Sequence, residues 1–132
     1  MIRTSDDLEG QLARLGRSFE RTPDGTFILA IGPNQPPAAL LLVPPVLVVQ
    51  VAIGEAPKDL TRAAPIYKKL LELNASALLH TAFALENDQI VLAAALELDN
   101  LDLNELEAVL ADIDVALGEH VPVLRSMVQS AS

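Results

Sequence analysis

Apolar residues repeat along this chain with two different periods, and the changes of period mark the predicted elements. The first segment carries a narrow stripe at helical spacing, formed by Leu8, Leu12, Leu15 and Phe19. Thr4 or Ser5 can cap this helix, and the acidic residues that follow suit its first turn. Gly10 and Gly16 weaken the helix.

Three strands are predicted next. After a turn at residues 23–25, apolar alternation predicts a strand over 27–31, and two apolar runs predict strands over 38–43 and 46–53. The usual two-residue hairpin turn needs positive φ, which proline cannot adopt, so Pro44-Pro45 predicts a wider connection. The last two strands are apolar on both faces. We therefore expect something besides one helix layer to cover the second face.

A second helix follows, which Pro65 either starts or kinks. Its apolar arc of roughly 160° is wider than one packed face requires, and it comprises Ile66, Tyr67, Leu70, Leu71 and Leu73. Asn74 is suited to end the helix in a left-handed conformation.

The second half predicts a hairpin and a long helix. Residues 78–86 and 89–98 pair across the turn Asn87-Asp88, with a large-residue face and an alanine-rich face that includes His80. Asp102 and Glu105 have the spacing of a capping box, which predicts the start of a helix. The stripe behind them keeps its phase from Leu103 to Val128, which favours one long helix bent at Pro122. The fold class is therefore α+β, with about five antiparallel strands and three helices in the order α-β-β-β-α-β-β-α.

Charge is distributed unevenly. The 132 residues have a net charge of −9; residues 1–69 hold eight bases and seven acids, whereas residues 70–132 hold eleven acids and one base. Such a surface repels phosphate backbones, so we expect no direct binding to nucleic acid. Two explanations of the acidic half stay open, a solvated face or a field that steers a basic partner.

Catalytic and cofactor chemistry is not indicated. Cysteine is absent, and His80 and His120 lie forty residues apart without metal-ligand spacing. No phosphate-binding glycine loop or nucleophile elbow occurs. The carboxylates of the last helix lie off its apolar stripe, where we expect them to be solvated, namely Glu105, Glu107, Asp112, Asp114 and Glu119. We expect no enzyme activity and no tightly bound metal, nucleotide or flavin.

Length and hydropathy predict one cytoplasmic domain over residues 1–132. No apolar run behind a basic cluster opens the chain, so no secretory signal is expected. The longest apolar stretch, residues 38–53, is too short to span a bilayer.

Two motifs carry a resemblance to a known family. Leu70-Leu71-Glu72-Leu73-Asn74 precedes a strand-turn-strand over residues 82–92, and the last helix opens with Leu101-Asp102-Leu103-Asn104-Glu105-Leu106. This order resembles the type III secretion chaperone-like superfamily, in particular its YbjN-like branch. The resemblance implies a homodimer that binds partner polypeptides, with a regulatory or stress-related role for the YbjN-like branch.

The residues themselves favour the same function. The wide arc of the second helix and the alanine-rich hairpin face predict an interface with a second copy or a partner, formed by Ile66, Tyr67, Leu70, Leu71 and His80. The rival interpretation is a small-ligand-binding or enzymatic domain with an apolar pocket between sheet and helices.

Overall fold

One antiparallel sheet organises the molecule. The computed structural model describes residues 2–131, and its strands are β1 (Phe19–Arg21), β2 (Phe27–Leu29), β3 (Ala38–Val43), β4 (Val46–Glu55), β5 (Ala82–Glu86) and β6 (Gln89–Glu97). Its helices are α1 (Ser5–Leu15), α2 (Leu60–Ser76), α3 (Leu103–Val115) and α4 (Val121–Ala131), with a π-helical turn (Ala116–His120) between the last two. The strand order is β1-β2-β3-β4-β6-β5.

The predicted hairpin has the expected register. Phe83 lies opposite Leu92 and Ala84 opposite Val91, with Asn87 and Asp88 at positive φ in the turn. The predicted α+β fold class is confirmed. The sheet has six strands, however, because β1 was not predicted as a strand.

The first helix is shorter than its stripe suggests. Gly16 adopts a left-handed conformation with φ 75° and ends α1, since glycine has no side chain to oppose that conformation. Phe19 therefore lies in β1, where its ring is 6.0 Å from that of Phe27. The helical spacing of Phe19 was coincidental.

The connection between β3 and β4 is tighter than predicted. Val43 pairs directly with Val46, so only Pro44 and Pro45 form the turn, and the peptide bond between them is cis. A cis proline reverses the chain within a type VI turn, which does not need the positive φ of the usual hairpin. The expectation of a wider connection was wrong.

The second helix begins before its proline and extends past its asparagine. Asp59 caps α2, accepting a hydrogen bond from the Thr61 N–H, so Pro65 lies inside the helix. Asn74 also lies inside and does not end the helix. Its side chain instead binds the backbone of β5, as described below.

The last helical segment continues through Pro122, as predicted. The irregularity is a π-helical turn, in which the Val121 N–H donates to the Ala116 carbonyl five residues earlier. Pro122 follows directly and has no N–H to donate. Val121 and Leu124 beyond the turn are buried, so the apolar stripe stays on the core.

The core lies on one side of the sheet. Alternate strand residues on that side pack with the apolar sides of the helices, among them Phe27, Leu40, Val49 and Leu92. The strand residues between them point to the opposite side, and no element in residues 2–131 covers that side. The covering that the sequence suggested is thus not supplied by the described part of the chain.

Candidate protein-binding surfaces

The uncovered side of the sheet forms one continuous surface, which we call the open face. Strand register places its members side by side across six strands, since successive residues of a strand point to opposite faces. Its apolar members are Ile28, Ala39, Leu41, Val43, Val46, Val48, Ala52, Ala82, Ala84, Val91, Ala93 and Ala95. Its polar members are Glu20, Gln50, Glu55, Glu86, Gln89 and Glu97.

The open face is mainly apolar and partly accessible, and its exposed large side chains lie toward the turn between β3 and β4. Leu41 is 39% exposed and Val43 46% exposed, whereas Val48 is half-buried among its neighbours. The hairpin contributes mainly alanines, whose short side chains project little from this part of the sheet. Isolated exposed apolar side chains are ordinary, but a contiguous apolar surface often marks an interaction site.

All the charges on the open face are negative. The six strands contain four acidic residues and one base, and all four acids lie on the open face. The base, Arg21, lies on the core side, where its guanidinium is 5.5 Å from the centre of the Phe27 ring and 2.8 Å from an oxygen of Asp6. Gln50 reaches across β6 and donates a hydrogen bond of 2.9 Å to Glu86.

The outer edge of the sheet at β5 is partly closed by side chains. The Phe83 N–H donates to Oδ1 of Asn74 at 2.7 Å, and Nδ2 of Asn74 donates to the Phe83 carbonyl at 3.0 Å. The carboxamide therefore satisfies both outward-facing backbone groups of Phe83, as a neighbouring strand would. An incoming strand cannot pair there without displacing Asn74.

Asp112 occupies the backbone donors of the segment just before β5. Its carboxylate, 9% exposed, accepts hydrogen bonds from the N–H groups of Leu79, His80 and Thr81 at 3.4, 3.1 and 2.9 Å and from the Thr81 hydroxyl at 2.6 Å. These bonds turn residues 79–81 away from strand pairing, so β5 begins at Ala82, later than predicted. Burial by itself raises the pKa of Asp112, but the hydrogen bonds outweigh it and hold the pKa below the ordinary aspartate value.

Exposed leucines lie along this closed edge, and we call them the edge patch: Leu71 on α2, Leu79 before β5 and Leu85 on β5. Leu71 is 70% exposed and Leu79 86% exposed. The contact between Asn74 and Phe83 holds α2 beside β5, which brings the helix and the strand into one surface.

The residues of the predicted interface lie at different depths. Ile66 and Leu70 are 1% and 5% exposed and belong to the core of the single chain, and Tyr67 is half-buried against it. Leu71 and His80 are exposed, and they flank the β5 edge. The interface stays a prediction, in which Leu71 and His80 supply the accessible side chains.

Comparison with known proteins bears on these surfaces. Residues 1–130 match the model of the CesT_Tir_1 family. The chain belongs to the CesT_Tir_1 family. This is a type III secretion chaperone family, so the resemblance found in the sequence is confirmed. No curated protein shows significant sequence similarity to the chain.

Solved structures share the fold of this CesT_Tir_1 chain. A chain of the heterodimeric ExoU–SpcU complex from the type III secretion system of Pseudomonas aeruginosa has a TM-score of 0.70 and 20% identity, covering 90% of this chain and 98% of its own. YbjN from E. coli, a suggested transcription regulator, has a TM-score of 0.64 and 18% identity, with 88% and 92% covered. A chain of the HopA1–SchA chaperone–effector complex has a TM-score of 0.59 and 16% identity, with 90% of each chain covered. At these identities the likeness shows the fold alone.

Asp112 is the site residue that sequence reasoning missed in this CesT_Tir_1 chain. We expected it to be solvated, because it lies off the stripe from Leu103 to Val128. In the structure it is buried in a second row with Val109 and Ala116, three residues before and four after it. That apolar spacing around a carboxylate was the available signal.

The surface cavities are grooves open to solvent. The two largest described, each of about 390 Å³, lie between α2 and α4 and beside His80. Within residues 2–131 no group of three histidine or acidic side chains is placed to hold a metal. No helix in that range is long and apolar enough to cross a membrane. The rival interpretation needs an enclosed pocket with converging polar groups, which these open grooves do not supply.

Proposed function

We propose that the chain is a non-catalytic, chaperone-like protein that binds other polypeptides and acts as a cytoplasmic homodimer. Membership of the CesT_Tir_1 family supports protein binding. So does the description of HopA1–SchA as a chaperone–effector complex, to a chain of which this one is similar in fold. The observation that carries the proposal is the amount of apolar surface that the described residues leave uncovered, on the open face and on the edge patch.

The edge patch is the surface we assign to the homodimer. Leu71 and Leu79 expose large apolar side chains beside a strand edge whose backbone is already occupied, so a second copy would be held by side-chain packing. A two-fold dimer buries the same patch on both copies. Ile66 and Leu70 would support this interface from beneath, while Tyr67 and His80 flank it.

Light scattering coupled to size-exclusion chromatography tests the dimer. The wild-type protein at micromolar concentration is expected to have twice the chain mass of 14.1 kDa. Replacing Leu71 and Leu79 with Glu should give the single-chain mass, because the interface would then bury four carboxylates, two from each copy, with no base to pair them. Replacing Leu60 and Val123 with Glu is the matched control, since both are exposed on helices elsewhere. A monomeric wild type would contradict the dimer, and dimeric edge-patch variants would contradict its placement.

Affinity capture from the native host tests the binding of polypeptides. A partner that this acidic protein attracts by its field should associate more slowly as salt rises from about 0.05 to 0.5 M, because ions screen exposed charges. Association that is unchanged over this range would mean that the charge serves solubility alone. Failure to capture any protein would overturn the binding function itself.

The YbjN-like resemblance favours a narrower function, a regulatory role in stress responses. The identity of the captured partners distinguishes this regulatory role from a chaperone role. Secreted proteins would support the chaperone role, whereas components of gene regulation would support the regulatory role.

A further inference from the structure

The open face combines two properties that together specify the chemistry of an occupant. Toward the turn between β3 and β4 it exposes Leu41 and Val43 among other apolar residues. Its margins carry Glu20, Glu55 and Glu97, all exposed, and no base lies on the face. A segment that covers this surface must be apolar where it meets Leu41 and Val43, and it is favoured electrostatically if it is basic where it meets the glutamates.

A second copy of this chain is a poor occupant of the open face. Two such faces in contact would bring eight glutamates into one interface with no base to pair them, which disfavours association. Glu86 is already hydrogen-bonded to Gln50, and that bond leaves its negative charge in place. The homodimer and the open face therefore call for different partners.

Addition of a strand at the β5 edge is also disfavoured. Asn74 occupies both outward-facing groups of Phe83, and Asp112 occupies the N–H of Thr81. A partner can avoid this obstruction by lying across the sheet rather than beside it. Six strands about 4.8 Å apart make a surface about 24 Å wide, and a helix is about 10 Å across, so one amphipathic helix fits.

We propose that the open face is the docking surface for a basic, amphipathic helical segment of a partner protein. The segment places aliphatic side chains against Leu41, Val43 and Val48, and its lysines or arginines reach the marginal glutamates. This inference rests on the proposed protein-binding function and adds the surface and the chemical class of the partner segment.

A synthetic peptide serves as the probe. A fluorescein-labelled helix with leucines on one side and lysines on the other is titrated with the protein, and binding is followed by fluorescence anisotropy. A peptide with glutamine in place of leucine keeps the charge, and one with glutamate in place of lysine keeps the apolar side. The leucine–lysine peptide is expected to bind more tightly than both. Equal binding of the glutamine–lysine peptide would overturn the proposal, because charge alone would then explain the affinity.

Two pairs of variants locate the binding. Glu20→Lys, Glu55→Lys and Glu97→Lys combined should raise the Kd for the leucine–lysine peptide at least about tenfold relative to the wild type. The control combines Glu72→Lys, Glu107→Lys and Glu119→Lys, which changes net charge equally at exposed helical positions. Equal weakening in both would overturn the proposal.

The second pair tests the exposed apolar side chains. Leu41→Ser with Val43→Ser should raise the Kd about fivefold or more, whereas Leu60→Ser with Val123→Ser should leave it unchanged. Circular dichroism checks that each variant is folded. The reverse order of effects would overturn the proposal. If no peptide binds while the protein still forms dimers and captures partners, the docking surface is wrong and the proposed function stands.

Discussion

Replacing Asp112 with Ala should destabilise the protein far more than its position on an acidic helix suggests. The carboxylate is the acceptor for three backbone N–H groups and the Thr81 hydroxyl. Alanine leaves all four donors without that partner. Asp112 also joins α3 to the segment before β5, so its loss loosens the contact between a helix and the sheet edge.

The magnitude follows from which donors water can reach. Leu79 and His80 are exposed, so water can take the place of the carboxylate for their N–H groups. Thr81 is 8% exposed, and its N–H and hydroxyl are the donors that lose a charged acceptor in a buried place. A hydrogen bond to a charged group contributes about 1.5–3 kcal/mol, so the two together predict a loss of about 3–6 kcal/mol. That is a large part of the roughly 5–15 kcal/mol by which domains are stable.

Urea unfolding at one protein concentration measures this loss, and two further variants calibrate it. Asp112→Asn keeps one oxygen but turns an amide N–H toward backbone donors, so its loss should be smaller, about 1–3 kcal/mol. Asp114→Ala removes only the partly exposed ion pair with Arg17, at 2.8 Å, and should change stability by about 0–1 kcal/mol. An Asp112→Ala variant as stable as Asp114→Ala would refute the reasoning.

The pH dependence of the same variants has a definite sign. The folded pKa of Asp112 lies below the ordinary value of 3.8, so the native state favours the charged form. Its contribution is present above the unfolded pKa and is lost as pH falls through the folded pKa. The stability difference between wild type and Asp112→Asn should therefore be constant at neutral pH and shrink below about pH 4. A difference that grows on acidification would contradict this.

Two further predictions concern α4 and the β5 edge. Leu124→Ala should lower the free energy of unfolding by about 2–5 kcal/mol, because the side chain is buried. The exposed Val123→Ala should change it by about 0.5 kcal/mol or less. Equally small losses for both variants in urea unfolding would show that α4 does not pack on the core. Asn74→Ala should cost about 1–3 kcal/mol and speed hydrogen exchange of the Phe83 amide, because the carboxamide holds both of that residue's outward groups. Unchanged protection of that amide would contradict the role of Asn74.

Local patterns predicted the elements whose stabilising contacts are close in sequence. The hairpin register followed from the two-residue turn at Asn87-Asp88 and the alternation around Phe83 and Leu92. The long last helix followed from the phase of its stripe. The π-helical turn within this helix could not be predicted, because it depends on how Val121 and Leu124 pack on the core.

Contacts distant in sequence were the ones that could not be predicted. Asn74 fits a helix end by its local preferences, yet its carboxamide is used by a strand nine residues away. Asp112 is paired with residues 31 to 33 positions before it, and no helical pattern shows that pairing. Both side chains were assigned to helix ends or solvent, and both instead fix the edge of the sheet. Both expectations were wrong, because the partners of these side chains come from the tertiary fold.

The distribution of charge on the surface also depends on the tertiary fold, and it bears on function. By sequence the acids divide at residue 70, and the second half looks like the negative surface. Strand register instead joins Glu20 and Glu55 from the first half with Glu86 and Glu97 from the second on one face. Other acids of the second half are withdrawn from the surface field, since Asp112 is buried and Asp114 is paired with Arg17. A partner approaching the protein therefore meets a negative surface defined by the sheet, and its basic groups must match the spacing of strands rather than the order of residues.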